Sequence, residues 1–379
     1  MDKYMEKFED WYETRHYYAK EWKKRTGGKV VGMLCTYQPE ELFYAADILP
    51  VRIFGGHEAP TQAEPYMYSG LQCPHCRCCL SEGLKGKYDY LDGIIVSNAC
   101  LTERPLFYAW IQHIGIEWHH YFMMPHATQT TGIYKFLRKE LEPLKESIEK
   151  WIGRTITDED IDRGIEIMNT NRSLMRQVWE YRKMADPPLT GFEALNISLS
   201  EQIVDKREHS EALRELLKEL PQRKLKRETG TRLMLIGSET EDLEFVEMVE
   251  GKMVLPATVV IDEICTGTRY FWNNVVPQED RLMAIAARYI DRVACPGKDW
   301  PKRKRFDHAL NLCKEYNVEG AIVFQQKYCE PHELDIPDLR KFLEDNGIPS
   351  YFLEFDVTVP IGQFHTRVEA FVETLVDLF

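Results

Sequence analysis

Cysteine is the residue type in this 379-residue chain best able to do chemistry; there are ten, and four lie within the segment LQCPHCRCCL (71–80) as Cys73, Cys76, Cys78 and Cys79. A C-x-x-C pair such as Cys73 and Cys76 supports thiol–disulfide exchange when a helix N-terminus lowers the thiolate pKa. Exchange sites of that kind carry an aromatic residue beside the first cysteine and sit in a small domain, whereas Ser69-Gly70-Leu71-Gln72 precedes this pair in a longer chain. Thiolates also close tetrahedral zinc sites, but a structural zinc site usually draws on two separated pairs, and no distant second pair exists here. Cys73, Cys76 and Cys79 spell the start of a bacterial ferredoxin run, with Gly83 where its fourth cysteine belongs. The better reading is a site assembled from distant segments. Cys100 follows the apolar run LDGIIVS (91–97), and Cys329 follows GAIVF (320–324) at a similar offset. Three thiolates meeting at a cleft would leave one iron of a cluster open to water, a side chain or substrate.

The elements that must position these thiols are legible as alternating strands and helices. Strand-like runs lie at 29–35, 49–54, 91–97 and 117–124, with helical patterns at 39–46 and 103–113. Between about 135 and 227 the pattern turns to long charged amphipathic segments, including 159–184 and 209–220, broken by Pro187, Pro188 and Pro221. Strand-like runs return at 232–237, 254–261, 320–324 and 350–355, with helices expected at 243–249, 281–291, 306–316 and 338–346. The expected fold is α/β, with two Rossmann/flavodoxin-like parallel-sheet domains (1–134 and 229–379) joined by a helical region (135–228). Open α/β sheets bind ligands beyond the carboxyl ends of their strands, where Cys100 and Cys329 fall.

Composition narrows the partners. With 48 basic and 61 acidic residues the formal charge is −13, which argues against nucleic-acid binding by bulk charge. A hydrophobic share of 44% with 29% charged residues is that of a globular protein, neither disordered nor fibrous. The opening MDKYMEKFEDWYETRHYYAKEWKKR has no apolar signal core, and no run approaches the roughly 18 apolar residues of a membrane span. A cytoplasmic protein with no membrane partner is expected, its cysteines reduced and free for metal ligation or redox chemistry.

Cys73 with Arg77 four residues on, GIIVSNAC ending at Cys100, KYCEPHELDIPDLRKFLEDNGIPSYFLE around Cys329 and the early MLCTYQPEELFYAADILPVRIFGG together resemble the benzoyl-CoA reductase and 2-hydroxyacyl-CoA dehydratase family. The likeness spans nearly the whole chain. It implies a 4Fe-4S cluster held by Cys73, Cys100 and Cys329, a homologous second catalytic subunit, and a separate ATP-hydrolysing activator that injects a low-potential electron. This chain has no G-x-x-x-x-G-K-[ST] loop, so ATP is expected to act only through that activator. The segment CRCCLSEGLKGKYDYLDGIIVSNACL is similar to the smaller benzoyl-CoA reductase subunits. The resemblance therefore implies an iron–sulfur subunit of an aryl-CoA reductase, dearomatising its substrate to a cyclic dienoyl-CoA. A radical 2-hydroxyacyl-CoA dehydratase subunit is the alternative, and a zinc-stabilised scaffold without enzymatic activity is the alternative of another class. Leu101 and Glu330 stand where the family often shows Asp and Asp-Pro.

Other residues are read more plainly. Cys76, Cys78 and Cys79 are reserve ligands, while Cys35, Cys265, Cys295 and Cys313 lie in or near apolar runs and are read as core, with Cys265 in a loop that could approach a ligand. His75, His119, His120 and His332 are candidate proton donors; His119 and His120 fall in a strand-like run and read as packed or solvated, and His332 with Glu330 follows a proposed ligand. The run Lys302-Arg303-Lys304-Arg305, with Lys298 before it, reads as a solvated helix start that could also contact coenzyme A phosphates or dock the partner subunit. Trp11, Tyr12, Tyr17, Tyr18 and Trp22 repeat at helical spacing, as a packing stripe does.

Overall fold

The computed structural model describes residues 3–378 apart from 57 and 358. Its eight strands are β1 (Val30–Met33), β2 (Leu49–Arg52), β3 (Gly93–Ser97), β4 (Trp118–Phe122), β5 (Thr231–Gly237), β6 (Ala257–Glu263), β7 (Gly320–Gln326) and β8 (Ser350–Phe355). They form two four-stranded sheets, ordered β2-β1-β3-β4 and β6-β5-β7-β8. Every pairing is parallel: Val31 stands opposite Pro50 and Gly93, and Leu235 opposite Asp262 and Ile322. The central strands β1, β3, β5 and β7 are buried throughout, as strands covered by helices on both faces must be, whereas the edge strand β4 exposes His119. β6 starts at Ala257, later than the expected 254, because Pro256 has no N–H to give the ladder and Val254 points to solvent.

The same strand order in both lobes fixes where a site can form. The direction of winding reverses between β1 and β3 and again between β5 and β7, and these switch points open crevices at the strand carboxyl ends. The two crevices face each other.

Between the lobes run the helices Ile133–Ile152, Asp158–Glu180, Gly191–Glu201 and Lys206–Glu219. Thr157 with Asp160 and Thr190 with Glu193 form capping boxes that satisfy the first amides of the second and third helices. Buried ion pairs tie this region to the first lobe: Arg172 to Glu41 at 2.7 Å and Lys206 to Glu40 at 3.4 Å. Tyr289, from the second lobe, donates to Glu41 at 3.2 Å, so one carboxylate is shared by three parts of the fold. Helices Pro74–Leu84 and Ile361–Leu378 complete the cover of the sheets. The N-terminal helix Lys3–Glu13 packs Met5, Phe8, Trp11 and Tyr12 into the apolar core that contains β5–β7, while Tyr17 faces outward. Among the described residues no helix is long and apolar enough to cross a membrane.

Candidate functional site

The two crevices enclose one sulfur-lined cavity of about 70 Å³, within a hollow of about 570 Å³ that includes its mouth. From the first lobe, the ends of β1 and β2 bring Cys35, Thr36 and Arg52, the segment after β3 brings Ala99, Cys100 and Glu103, and the cysteine helix Pro74–Leu84 brings Cys73, His75 and Cys76. From the second, Ser238 and Glu239 follow β5, Cys265 follows β6, and Gln326, Cys329 and His332 lie at and beyond the end of β7, with Cys295 alongside.

Local sequence explains how the thiols are aimed. Cys73 caps the cysteine helix in extended conformation, and Pro74 occupies the first helical position, where a missing N–H costs nothing. Its sulfur therefore sits at the positive end of the helix. The helix lies so close to the loop after β2 that a Cβ on Gly55 would come within 2.5 Å of the Cys78 Cβ, a contact only glycine avoids. Cys329 is delivered by Tyr328, whose left-handed backbone (φ 60°) turns the chain off β7. Non-glycine residues adopt that conformation at a cost of about 1–3 kcal/mol, a strain that concentrates at functional sites.

Electrostatics in the cavity favour anionic sulfur in part and oppose it in part. A hydrogen bond from Cys76 lowers the Cys73 thiol, aided by His75, while the same contact and burial raise Cys76, so the pair shares one proton. Burial raises Cys100 and Cys329 well above the ordinary thiol value. Cys329 contacts the His332 ring nitrogen at 3.3 Å, and His332, kept neutral by burial and by Arg269, reaches that guanidinium with its other nitrogen at 3.2 Å. Glu103 is pushed up to about 7 by burial, against the pull of Arg52. Burial opposes the Arg52 charge, but Cys35, Glu239 and Glu103 outweigh it, and Arg52 keeps Nε and Nη1 without a hydrogen-bond partner. An unpartnered guanidinium edge in a buried cavity is the complement of an anion.

Cys73, Cys100 and Cys329, expected from distant segments, thus meet at one cavity. Of the reserve ligands Cys76 joins them, whereas Cys79 turns to His75 at 3.5 Å and Cys78 to the Glu58 carbonyl at 3.7 Å. Cys313 is a core residue against Met234. The core reading of Cys35, Cys265 and Cys295 is corrected, since all three line the cavity. Cys35 and Cys265 each stand two residues past a strand, the signal that singled out Cys100 and Cys329, whereas Cys295 follows a helix and gave none. Arg52 and Glu103 carried no motif at all.

His119 and His120 lie on β4, away from the cavity, and His120 stacks on Trp118. The basic run is largely spent inside the fold: Arg305 is buried between Glu263 and Asp335, Arg303 donates to the Pro296 and Asp299 carbonyls, and Lys298 donates to the Asn98 carbonyl at 2.8 Å. Only Lys302 and Lys304 of the run stay exposed.

A single zinc ion with bonds of about 2.3 Å needs ligand atoms within about 3.8 Å of one another. Among the described residues, the group of three or more whose ligand atoms lie within 4.8 Å is His75, Glu239 and Glu241, with no cysteine in it. The thiols instead surround a space, as ligands of a polynuclear centre do.

Known proteins are similar in sequence to this chain along nearly its whole length. The family model of the 2-hydroxyglutaryl-CoA dehydratase D-component matches residues 35–375. The (R)-phenyllactyl-CoA dehydratase beta subunit of Clostridium sporogenes is 27% identical over 99% of both chains. The (R)-2-hydroxyglutaryl-CoA dehydratase subunit beta of Acidaminococcus fermentans is 27% identical over 93% of this chain and 94% of its own. A subunit of the benzoyl-CoA reductase of Thauera aromatica is 22% identical over 91% of this chain and 90% of its own.

Proposed function

The chain belongs to the 2-hydroxyglutaryl-CoA dehydratase D-component family, and from that premise we propose that it is the iron–sulfur subunit of an enzyme that delivers low-potential electrons to an acyl-CoA. The observation that carries this reading is the convergence of thiols from both lobes on one buried cavity that also holds an unpartnered guanidinium edge. Soft thiolate donors and a compensating cation suit an iron–sulfur cluster, so the residues fit the group the family implies. Cys73, Cys100 and Cys329 would hold it. When bound, a 4Fe-4S cluster supplies one-electron transfer at a potential tuned by charge, hydrogen bonds to sulfur and exclusion of water.

The chain's own residues supply that tuning. Arg52 offers positive charge and two unpartnered nitrogens, Nε and Nη1, to the cavity. His332 orients the Cys329 sulfur and is itself held by Arg269. The switch-point loops of both sheets exclude bulk water, which strengthens each of these interactions. The relatives' names place them in multi-subunit enzymes, which supports a second catalytic subunit as partner, and the lack of a phosphate-binding loop supports a separate ATP-hydrolysing activator.

For the reaction, the segment Cys76–Leu101 supports reduction of an aryl-CoA ring to a cyclic dienoyl-CoA. The two 27% identical relatives favour a second reading, dehydration of a 2-hydroxyacyl-CoA with the electron recycled. Electron stoichiometry in the complex with partner and activator separates them. Donor consumed in proportion to product supports reduction; product formed with only a catalytic trace of donor supports dehydration. No turnover of either thioester class would overturn both.

A further inference from the structure

A second pocket, of about 470 Å³, opens where the first lobe meets the second, and it shares no lining residue with the sulfur cavity. Gln129 and Tyr134 reach it from one side, and Trp272, Arg292, Arg305 and His308 from the other. Its size falls within the range of about 300–1,000 Å³ typical of small-molecule sites. We propose that this pocket binds a nucleoside phosphate, with the phosphate on Arg292 and Lys304 and the base on Trp272.

Four side chains that line the pocket bury a polar atom with no hydrogen-bond partner: Arg292 Nε, Arg305 Nε, His308 Nε2 and Asn273 Oδ1. Arg292 and Arg305 are only 5% and 2% exposed. Buried polar groups are normally hydrogen-bonded, so four such atoms around one hollow call for partners supplied from within it.

Charge identifies the first part of the ligand. The Nη atoms of Arg292 donate to the Thr36 and Arg269 carbonyls, and its guanidinium lies 4.5 Å from the Tyr37 ring centre. Among the described residues no carboxylate pairs with it, so a buried charge stands without an anion. Arg305 is balanced by Glu263 and Asp335 and adds a donor, not net charge. Lys304 stands exposed at the start of the helix Lys304–Glu315 and also lines the pocket. The acids of the pocket are already engaged: Asp291 accepts from Tyr134 at 2.6 Å, and Asp299 from Gln129 at 2.9 Å and the Arg305 amide at 2.8 Å. What remains is cationic, the complement of a phosphate.

The rest of the lining fits a planar base. Trp272 is half-buried, and His308 stands edge-on to it, with ring centres 5.3 Å apart and planes at 75°. The two rings form a corner against which a flat heterocycle stacks. Burial and then Arg305 push His308 down to about 4, which keeps the imidazole neutral and able to donate or accept. Asn273 Oδ1 lacks a donor, and the exocyclic amine of a base supplies one. This chemistry is common to a free adenine nucleotide and to the adenosine head of coenzyme A.

The test is equilibrium dialysis of the full chain against ADP, coenzyme A, adenosine and inorganic phosphate, each as the sole probe. ADP or coenzyme A is expected to saturate at about one per chain, with adenosine and phosphate each about tenfold weaker or more, because each makes only part of the contacts. K304E, on the surface, and W272L should each weaken the tighter of the two about tenfold. K304E decides the matter alone if W272L fails to fold. Tighter ADP assigns the site to a free nucleotide, and tighter coenzyme A to the head group of a thioester. No saturable binding of either, or binding unchanged in K304E, overturns the proposal, while iron and sulfide content, which bears on the sulfur cavity, is untouched by the result.

Discussion

His75 Nδ1 and Glu239 Oε2 stand 2.7 Å apart across the cleft, joining the cysteine helix of the first lobe to the loop that follows β5 in the second. Both side chains are about 10% exposed, at 11% and 9%. Burial alone would strip the imidazole of its proton, but Cys79 and Glu239 reverse the balance and hold His75 well above its ordinary value. The contact is therefore a buried ion pair that sets how the lobes meet around the thiols. Breaking such a pair leaves an uncompensated charge, and Glu239→Gln is expected to cost about 3 kcal/mol, lowering the melting temperature by several degrees. Unchanged melting would show that the lobes dock without it.

The proposed ligand set predicts unequal effects among neighbouring cysteines. Cys100→Ser and Cys329→Ser should each lose most bound iron and sulfide on gel filtration. Cys73→Ser should do the same and Cys76→Ser should not, because Cys73 holds the helix N-terminus and the lowered thiol of the pair. Full occupancy in both Cys100→Ser and Cys329→Ser would refute the set.

Arg52 predicts a shift in potential without loss of the centre. Removing a buried positive charge disfavours the more negative, reduced state, so Arg52→Gln should move the midpoint negative by on the order of 50 mV, close to the 59 mV of a tenfold one-electron change. Arg52→Lys, which keeps the charge, should shift it less. Equal potentials in the glutamine variant and the unaltered chain would remove Arg52 from the site.

Glu201, in the helical region, predicts a pH-dependent stability unrelated to the cavity. Burial raises it to about 8, with Lys206, Arg172 and Arg288 pulling down and Glu40 pushing up, and neither carboxyl oxygen has a hydrogen-bond partner. The folded state holds a proton that the unfolded state releases near pH 4.5, so stability declines from there up to about pH 8. Glu201→Gln should melt like the unaltered chain at pH 5 and several degrees higher at pH 8. A gain at pH 5 equal to that at pH 8 would contradict this assignment.

Much of this arrangement was legible in the sequence because parallel α/β folds announce themselves twice. The apolar runs GIIVS and GAIVF mark fully buried central strands, and a cysteine a few residues past such a run lies where ligands bind, which picked out Cys100 and Cys329. The same rule applies to Cys35 and Cys265, yet their apolar surroundings pointed equally well to a core, and only the facing of the two lobes decides between these. Cys295 follows a helix, and Arg52 ends a strand like any other residue; their role depends on distances between lobes, which no local pattern encodes. The basic run at 302–305 misled for the complementary reason. A charge cluster reads as surface until buried carboxylates such as Glu263 and Asp335 are found to meet Arg305.

The most direct test of the central claim is metal and labile-sulfide analysis of the chain purified without exposure to oxygen, together with its visible absorbance. We predict at least four irons per chain, a matching amount of acid-labile sulfide and no stoichiometric zinc. About one zinc per chain with no labile sulfide would contradict the account.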